Sequence, residues 1–212
     1  MNIETRLNKM ETFFDQKEVN VIDNGTGFIK YGYSGEDLPR VSFSCLVCDA
    51  YSDVDQGNPR GSSHRHRGGP VHHVSPVTLS EKNYGNEALQ NKHEKNLHYP
   101  VQRGIVEEYD HMKDLWEQFI DQSQRAHKQE TYVLITDYPL NTKEKKIKTA
   151  EIMFEHLGVK YLSIMNSAVL SLFSTGRTSG LVIESGQGVT NAVPIFEGYA
   201  LPHAIQTVDI AG

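Results

Sequence analysis

The sequence predicts an α/β protein in which short strands alternate with helices. Two observations support this fold class. The second half of the chain alternates apolar strands with amphipathic helices, and an acidic residue followed by a glycine-rich turn occurs twice between apolar strands. The first copy reads VIDNGTGFIKYGY (21–33), and the second reads LVIESGQGVTNAVPIF (181–196). We therefore expect an internal repeat of two glycine-turn hairpins, with helices and strands between them.

The first half of the chain contains a short ordered block and a long polar one. Residues 1–18 predict an amphipathic helix, and strands are expected near 20–23 and 28–33. Residues 49–80 are rich in Gly, Ser, Pro and His without an apolar period, which predicts a long mobile loop. Residues 107–124 then predict a helix with one apolar face, formed by Met112, Leu115, Trp116, Phe119 and Ile120.

The second half predicts regular alternation of strand and helix. A buried strand (131–137) precedes a helix over 142–158 that ends at Gly158. The inward side chains expected on that helix are Ile147, Ala150, Phe154 and Leu157. A strand (161–165), a helix (166–176) capped by Asn166 or Ser167, and a strand (180–185) follow.

Composition excludes several function classes. The 212 residues carry a net charge of -6, so we expect no direct binding of nucleic acid and no attraction to acidic membranes. No apolar run approaches the ~18 residues of a membrane span, and the two cysteines do not indicate a disulfide scaffold. These features predict a soluble intracellular protein.

The paired hairpins predict a phosphate site. Glycines in a turn let backbone N–H groups converge on an anion. The carboxylates of Asp23 and Glu184 would lie near a divalent ion through water, because Mg²⁺ keeps much of its hydration shell. Lys30 would neutralise phosphate charge.

Five segments in order resemble actin and actin-related proteins: DNGTGFIKYGYSG, YPVQRGIVEEYDHMKDLW, AVLSLFSTGRTSG, SGQGVTNAVPIFEGYALPHAI and DIAG. The first hairpin, with Thr26, Phe28 and Tyr33, resembles the smaller actin-related subunit of the branched-filament nucleator more than conventional actin. The resemblance implies an actin-like (ribonuclease H-like) ATPase fold. Residues 19–180 would form the first lobe with its insert at 49–80, residues 181–212 would begin the second lobe, and residues 1–18 would be an extension.

The resemblance also implies a ligand, ATP or ADP with Mg²⁺. The phosphates would contact both hairpins, with Asp23 and Glu184 near the hydrated ion. The phosphate-binding positions are Thr26, Gly27, Phe28, Lys30, Gly186, Gln187, Gly188 and Val189. Because the family holds adenine and ribose with segments beyond the point that matches Gly212, we expect weak nucleotide binding and a tendency to associate from residues 1–212 alone.

Departures from the family pattern concern hydrolysis. The family positions its attacking water with a glutamine and a histidine, where this chain has Ser167 and Asn191, and its modified histidine corresponds to Arg103. Since Ser167 is short and Asn191 is a poor base, we expect weak or no hydrolysis. The family's partner-binding cleft keeps Phe173, Gly176, Thr178 and Tyr199, whereas its filament loop is replaced by the polar insert.

Three hypotheses follow. The first is a structural subunit of a cytoskeletal, motor-associated or chromatin assembly, located in the cytoplasm and cytoskeleton, with the nucleus as an alternative. The second is an active actin-like ATPase that joins filaments. The third is a zinc-dependent interaction module built from Cys45 and Cys48 with histidines of the insert, His64, His66, His72 and His73. If one strand covers 41–48, however, the two thiols point to opposite faces.

Overall fold

A computed structural model describes residues 18–48, 83–90, 96–127 and 130–212. The helix expected over residues 1–18 falls almost wholly outside this part of the chain, and the loop expected over 49–80 falls entirely outside it. Within the described residues, no helix is both long enough and apolar enough to cross a bilayer.

The strands and helices are numbered in chain order over the described residues. The strands are β1 (Val19–Asn24), β2 (Phe28–Tyr33), β3 (Val41–Ser44), β4 (Val47–Cys48), β5 (Asn83–Tyr84), β6 (Leu97–His98), β7 (Val101–Gln102), β8 (Ile105–Val106), β9 (Tyr132–Asp137), β10 (Tyr161–Asn166), β11 (Gly180–Ser185), β12 (Thr190–Phe196), β13 (Tyr199–Ala200) and β14 (Gln206–Val208). The helices are α1 (Gly85–Gln90), α2 (Tyr109–His127), α3 (Lys143–Glu151) and α4 (Ser167–Phe173), with a π-helical turn at Ile152–His156 and a 3₁₀ turn at Pro202–Ala204.

The main sheet has five strands in the order β10-β9-β1-β2-β3. Strands β1 and β2 form the first hairpin, while β1, β9 and β10 run parallel. Parallel strands end at the same edge of a sheet, so the last residues of β1 and β9 lie next to each other. The α/β class expected from the sequence is therefore confirmed, and this edge is where the acidic residue of the first hairpin lies.

A smaller sheet contains the second hairpin. Strand β12 pairs with β11 on one side and with β13 and β14 on the other. In each hairpin four residues separate the last paired positions, and the same hydrogen bond closes the turn. The N–H of Gly25 donates to the carbonyl of Phe28 at 3.1 Å, and the N–H of Gly186 donates to that of Val189 at 3.1 Å. The sequence repeat is thus also a repeat in backbone structure.

The apolar face of α2 forms much of the main core, as its periodicity predicts. Met112, Leu115 and Trp116 are fully buried against β1, β2 and β9 side chains such as Ile22 and Ile135. The indole N–H of Trp116 donates to Asn24 Oδ1 at 3.1 Å. Helix packing therefore reaches the turn of the first hairpin, because Asn24 is the last residue of β1.

The prediction of which residues face inward on the helix over 142–158 was wrong in part. Ile147 and Phe154 are exposed and Ala150 is half-buried, whereas Leu157 is buried as expected. The buried positions before Leu157 are instead Thr149, Ile152 and Met153. An α-helical period does not hold here, because the π-helical turn, in which Leu157 N–H donates to Ile152 O at 3.1 Å, adds a residue to the last turn. Thr149 tolerates burial because its hydroxyl donates to Lys145 O.

The continuous strand considered for 41–48 is interrupted between Ser44 and Val47. Cys45 lies in the main core, and Cys48 lies in a small cluster with Leu46 and Ala88. Burial raises the pKa of the Cys45 thiol to about 12, which disfavours the thiolate that zinc requires. The four histidines of the zinc hypothesis lie outside the described residues.

We expect Met153→Ala to lower the free energy of unfolding by about 2–5 kcal/mol, because it removes a fully buried side chain and leaves a cavity. Ile147→Ala, on the same helix but with 57% of the side chain exposed, should cost less than about 1 kcal/mol. Urea unfolding followed by circular dichroism measures both values. Equal losses, or a larger loss for Ile147→Ala, would contradict the inward face described above.

Candidate functional site

The loops of the two hairpins face each other across a cavity of about 320 Å³. The cavity is lined by every residue proposed from the sequence for phosphate and Mg²⁺: Asp23, Thr26, Gly27, Phe28, Lys30, Glu184, Gly186, Gln187, Gly188 and Val189. Ser167 and Asn191 line it as well. The structure therefore brings the predicted residues into one place.

Two glycines are required by the close approach of these loops. A Cβ atom on Gly188 would lie 3.0 Å from the Cα of Arg103 and 3.0 Å from the methyl carbon of Thr26. A Cβ atom on Gly27 would lie 1.6 Å from Gln187 Oε1. The first clash involves backbone and the second a flexible side chain, so Gly188 is the more strictly constrained of the two.

The loop backbones supply hydrogen-bond donors to the cavity. The N–H groups of Thr26, Gly27, Gln187 and Gly188 donate to no atom of the described residues. Because these four residues lie in two facing loops that line one cavity, their donors suit an anion with several oxygen atoms. Phosphate groups have this chemistry.

Asp23 lies at the floor of the cavity, where β1 and β9 end side by side. Its Oδ1 accepts a hydrogen bond from the hydroxyl of Thr136 at 2.9 Å, and the same hydroxyl accepts from Asn24 N–H at 2.8 Å. Lys30 Nζ lies 3.1 Å from Asp23 Oδ2. Both side chains of this ion pair are partly exposed, so the pair is weak and Lys30 remains available to a phosphate oxygen.

Glu184, the acidic residue of the second hairpin, is held by the start of α4. The Ser167 hydroxyl donates to Glu184 Oε2 at 2.9 Å, and the Ser171 hydroxyl donates to Oε1 at 3.1 Å. Asn166, rather than Ser167, caps α4, because its side chain accepts from Ala168 N–H. Ser167 is thereby free to orient the carboxylate.

Asn191 is only 4% exposed and its amide oxygen is fully engaged. It accepts hydrogen bonds from the hydroxyls of Tyr138 at 3.0 Å and Thr207 at 2.8 Å. An amide in this arrangement is fixed in place and has no basic atom to accept a proton.

Arg103 lies in a two-residue turn between β7 and β8. Both turn residues have positive φ, 52° for Arg103 and 81° for Gly104, which is typical of a type I′ hairpin. The N–H of Gly104 donates to the Thr26 hydroxyl at 2.8 Å, and Arg103 forms an ion pair with Asp209. This turn, called the bridging turn below, links the first hairpin to the segment that follows β14.

The residues present fit phosphate groups accompanied by Mg²⁺. Asp23 and Glu184 outnumber the single cation Lys30 among the charged residues that line the cavity, so an anionic ligand needs an accompanying cation. Each carboxylate oxygen of Glu184 already accepts one protein hydrogen bond, and the Asp23 oxygens are similarly occupied. Their remaining lone pairs suit contact with metal-bound water, which is how Mg²⁺ is usually held.

The family model described as Actin matches residues 14–212. The chain belongs to the actin family. The mixed five-stranded sheet and its helices fit the actin-like fold, so the resemblance and the fold class inferred from the sequence are confirmed. The more specific likeness to the smaller actin-related subunit stays a prediction.

Of the four residues that the actin-family resemblance assigns to a partner-binding cleft, Gly176 and Thr178 lie in the loop between α4 and β11. Phe173 ends α4, and Tyr199 begins β13. Gly198 N–H donates to Thr178 O at 2.7 Å, and Gly198 packs against the ring of Phe173. Phe173 and Tyr199 are exposed, and a Cβ atom on Gly176 would meet only open space. Phe173 and Tyr199 therefore present aromatic rings on an accessible surface.

Sequence reasoning missed the residues that hold the site together: Thr136, Tyr138, Ser171, Thr207 and Asp209. Only Thr136 could have been expected near the site from the sequence, because it stands near the end of a predicted buried strand, as Asp23 does. The structure pairs these two strands in parallel. The other contacts join distant segments of this actin-family chain, and no short pattern indicates them.

Proposed function

We propose that this actin-family protein binds ATP or ADP with Mg²⁺ between its two hairpins, hydrolyses ATP weakly or not at all, and acts as a structural subunit of a larger assembly. The observation that carries the proposal is the cavity itself. Its two loops present N–H groups that donate to no atom of the described residues, while Ser167 and Asn191 are both engaged in internal hydrogen bonds.

The chain's own residues have distinct parts in binding. The N–H groups of Thr26 and Gly27 on one loop, and of Gln187 and Gly188 on the other, would hold phosphate oxygens from two sides. Lys30 would offset phosphate charge, and Asp23 and Glu184 would accept hydrogen bonds from water on the metal. A bound Mg²⁺ supplies charge neutralisation of the phosphate oxygens.

Weak hydrolysis follows from the same contacts. An attacking water must be held in line with the phosphorus and lose a proton to a suitable acceptor. The Ser167 hydroxyl donates a hydrogen bond to Glu184, and the Asn191 amide oxygen accepts hydrogen bonds from Tyr138 and Thr207. Neither side chain is therefore arranged to orient an attacking water or to accept its proton. Nucleotide would then act as a structural ligand that joins the two hairpins.

The subunit role is supported by exposed apolar side chains on the second sheet and its loops. Phe173 at the end of α4, Phe196 at the end of β12 and Tyr199 at the start of β13 are exposed. Leu181 and Ile183 on β11, with Val208 and Ile210 near β14, are also exposed. Apolar surface of this kind favours association, so we infer that protein partners cover it in a cytoskeletal, motor-associated or chromatin assembly.

Mg-ATP that is bound should persist, with hydrolysis slower by about 10²–10⁴-fold than in an actin that has both water-positioning groups. Single-turnover measurement with labelled Mg-ATP tests this. Actin-like rates would contradict the proposal and favour the active ATPase.

Gly188→Ala should weaken Mg-ATP binding by about 10–100-fold, the equivalent of one hydrogen bond to a charged group, because the added methyl pushes against the backbone at Arg103. Gly186→Ala adds the same methyl to the second loop with no neighbouring atom nearer than 3.7 Å, so it should weaken binding less. Wild-type affinity of Gly188→Ala would show that the phosphates bind elsewhere.

Tyr199→Ser should weaken recruitment to the native assembly by about 2 kcal/mol or more, as expected for an aromatic residue at an interface. Cross-linking and mass spectrometry of the tagged full chain measure recruitment. Leu38→Ser is the control, because Leu38 is an equally exposed apolar residue in the loop between β2 and β3 of the main sheet. Unchanged cross-links with Tyr199→Ser would place the partner surface elsewhere.

A further inference from the structure

A carboxylate lies between two histidine rings, and none of these three residues lines the cavity described above. The Oε2 atom of Glu108 is 3.2 Å from Nδ1 of His98 and 2.8 Å from Nδ1 of His111. The two rings are 4.2 Å apart between centroids. One ligand atom from each residue lies within 4.8 Å of the others, and this is the one such group found among the described residues.

The backbone fixes all three side chains. His98 lies on β6, which pairs with β4 through Val47. The N–H groups of Glu107 and Glu108 both donate to Pro100 O, at 2.8 and 3.3 Å, and this brings Glu108 back towards β6. His111 lies in the first turn of α2, where Met112 N–H donates to Glu108 O. A site supported by strand pairing and a helix start keeps its geometry better than one on a free loop.

We propose that His98, Glu108 and His111 bind a divalent transition-metal ion of the zinc class, with water as the fourth ligand. Two histidines and a glutamate form a donor set that zinc uses, with bonds of about 2.0–2.2 Å. Tetrahedral bonds of that length place ligand atoms about 3.3–3.6 Å apart. The separations of 2.8 and 3.2 Å here would therefore need to open by less than about 1 Å.

The site is open enough for an ion to enter and buried enough to hold it. The side chains of His98, Glu108 and His111 are 29%, 35% and 17% exposed. Neutral imidazole nitrogen is a good zinc ligand, and the shared carboxylate supplies negative charge to the ion. The site differs in every residue from the Cys45 and Cys48 hypothesis raised by the sequence.

The ion would fix the base of the bridging turn. His98 precedes β7 and Glu108 follows β8, so the metal would clamp the two chain segments that enter and leave the turn. At the tip of the same turn, the N–H of Gly104 donates to the hydroxyl of Thr26, which lines the cavity between the hairpins. The metal site is thus separate from the cavity but joined to it by six residues, 101–106.

Isothermal titration of the full chain with Zn²⁺ after chelator treatment tests the proposal. We expect one equivalent to bind, and saturating Zn²⁺ to raise Tm by about 5–10 °C at a hundredfold excess over Kd. Glu108→Gln and His111→Asn should each weaken binding by about 100-fold or more, since even changes outside the ligand shell cost about 10–100-fold. The matched controls are Glu107→Gln, which removes the neighbouring charge, and His203→Asn on an exposed turn.

The Co²⁺-substituted wild-type protein shows, without any substitution, whether a thiolate is among the ligands. Tetrahedral d–d absorption without a thiolate-to-cobalt charge-transfer band is expected. A charge-transfer band would assign the metal to Cys45 or Cys48 and overturn the proposal. Failure of the wild type to bind Zn²⁺, or binding by Glu108→Gln and His111→Asn as tight as by their controls, would overturn it too.

Discussion

The close approach of two glycine turns is the constraint on which the rest of the site depends. At Gly188 the backbone of the second hairpin comes so near to Thr26 and Arg103 that even a methyl group would not fit without movement. This contact joins β1–β2 of the main sheet to β11–β12 of the smaller one. It also places donors of both loops around one cavity, which neither hairpin would form alone.

Side-chain hydrogen bonds between distant segments also hold the residues around the cavity in place. Thr136 links the ends of β1 and β9, and Tyr138 and Thr207 hold Asn191 between β9 and β14. Asn191 is the buried member of this network, and its two hydrogen bonds hold its side chain in place. Because Ser167 and Asn191 are both engaged in internal hydrogen bonds, this network is consistent with our proposal that the cavity binds nucleotide without hydrolysing it quickly.

The sequence predicted the parts of the fold that local pattern determines. The apolar face of α2, the two hairpins and the stop at Gly158 all follow from periodicity and glycine chemistry, and the structure confirms them. The inward face of α3 was wrong because a π-helical turn breaks the α-helical period before Leu157. Helix α1 was missed, since a six-residue helix has too short a pattern to read.

The site was predictable in outline and not in its supporting contacts. The repeated acidic and glycine residues predicted that Asp23, Gly27, Glu184 and Gly188 lie close together, and these residues line one cavity. Their contact with phosphate stays a prediction. The roles of Ser167 and Asn191 in the hydrogen-bond network were not predictable, because their partners are Glu184, Tyr138 and Thr207 on other elements. Long-range pairing of polar side chains has no periodic signature in a single sequence.

The most direct test of the central claim, that both hairpins hold one ligand, is hydrogen–deuterium exchange of the full chain with and without saturating Mg-ATP. Peptides that cover 25–28 and 186–189 should both exchange more slowly with nucleotide, because the unpaired N–H groups of Thr26, Gly27, Gln187 and Gly188 would then donate to phosphate. Exchange around Gly176, on an open loop away from the cavity, should not change. Protection of only one hairpin, or of neither, would contradict the account.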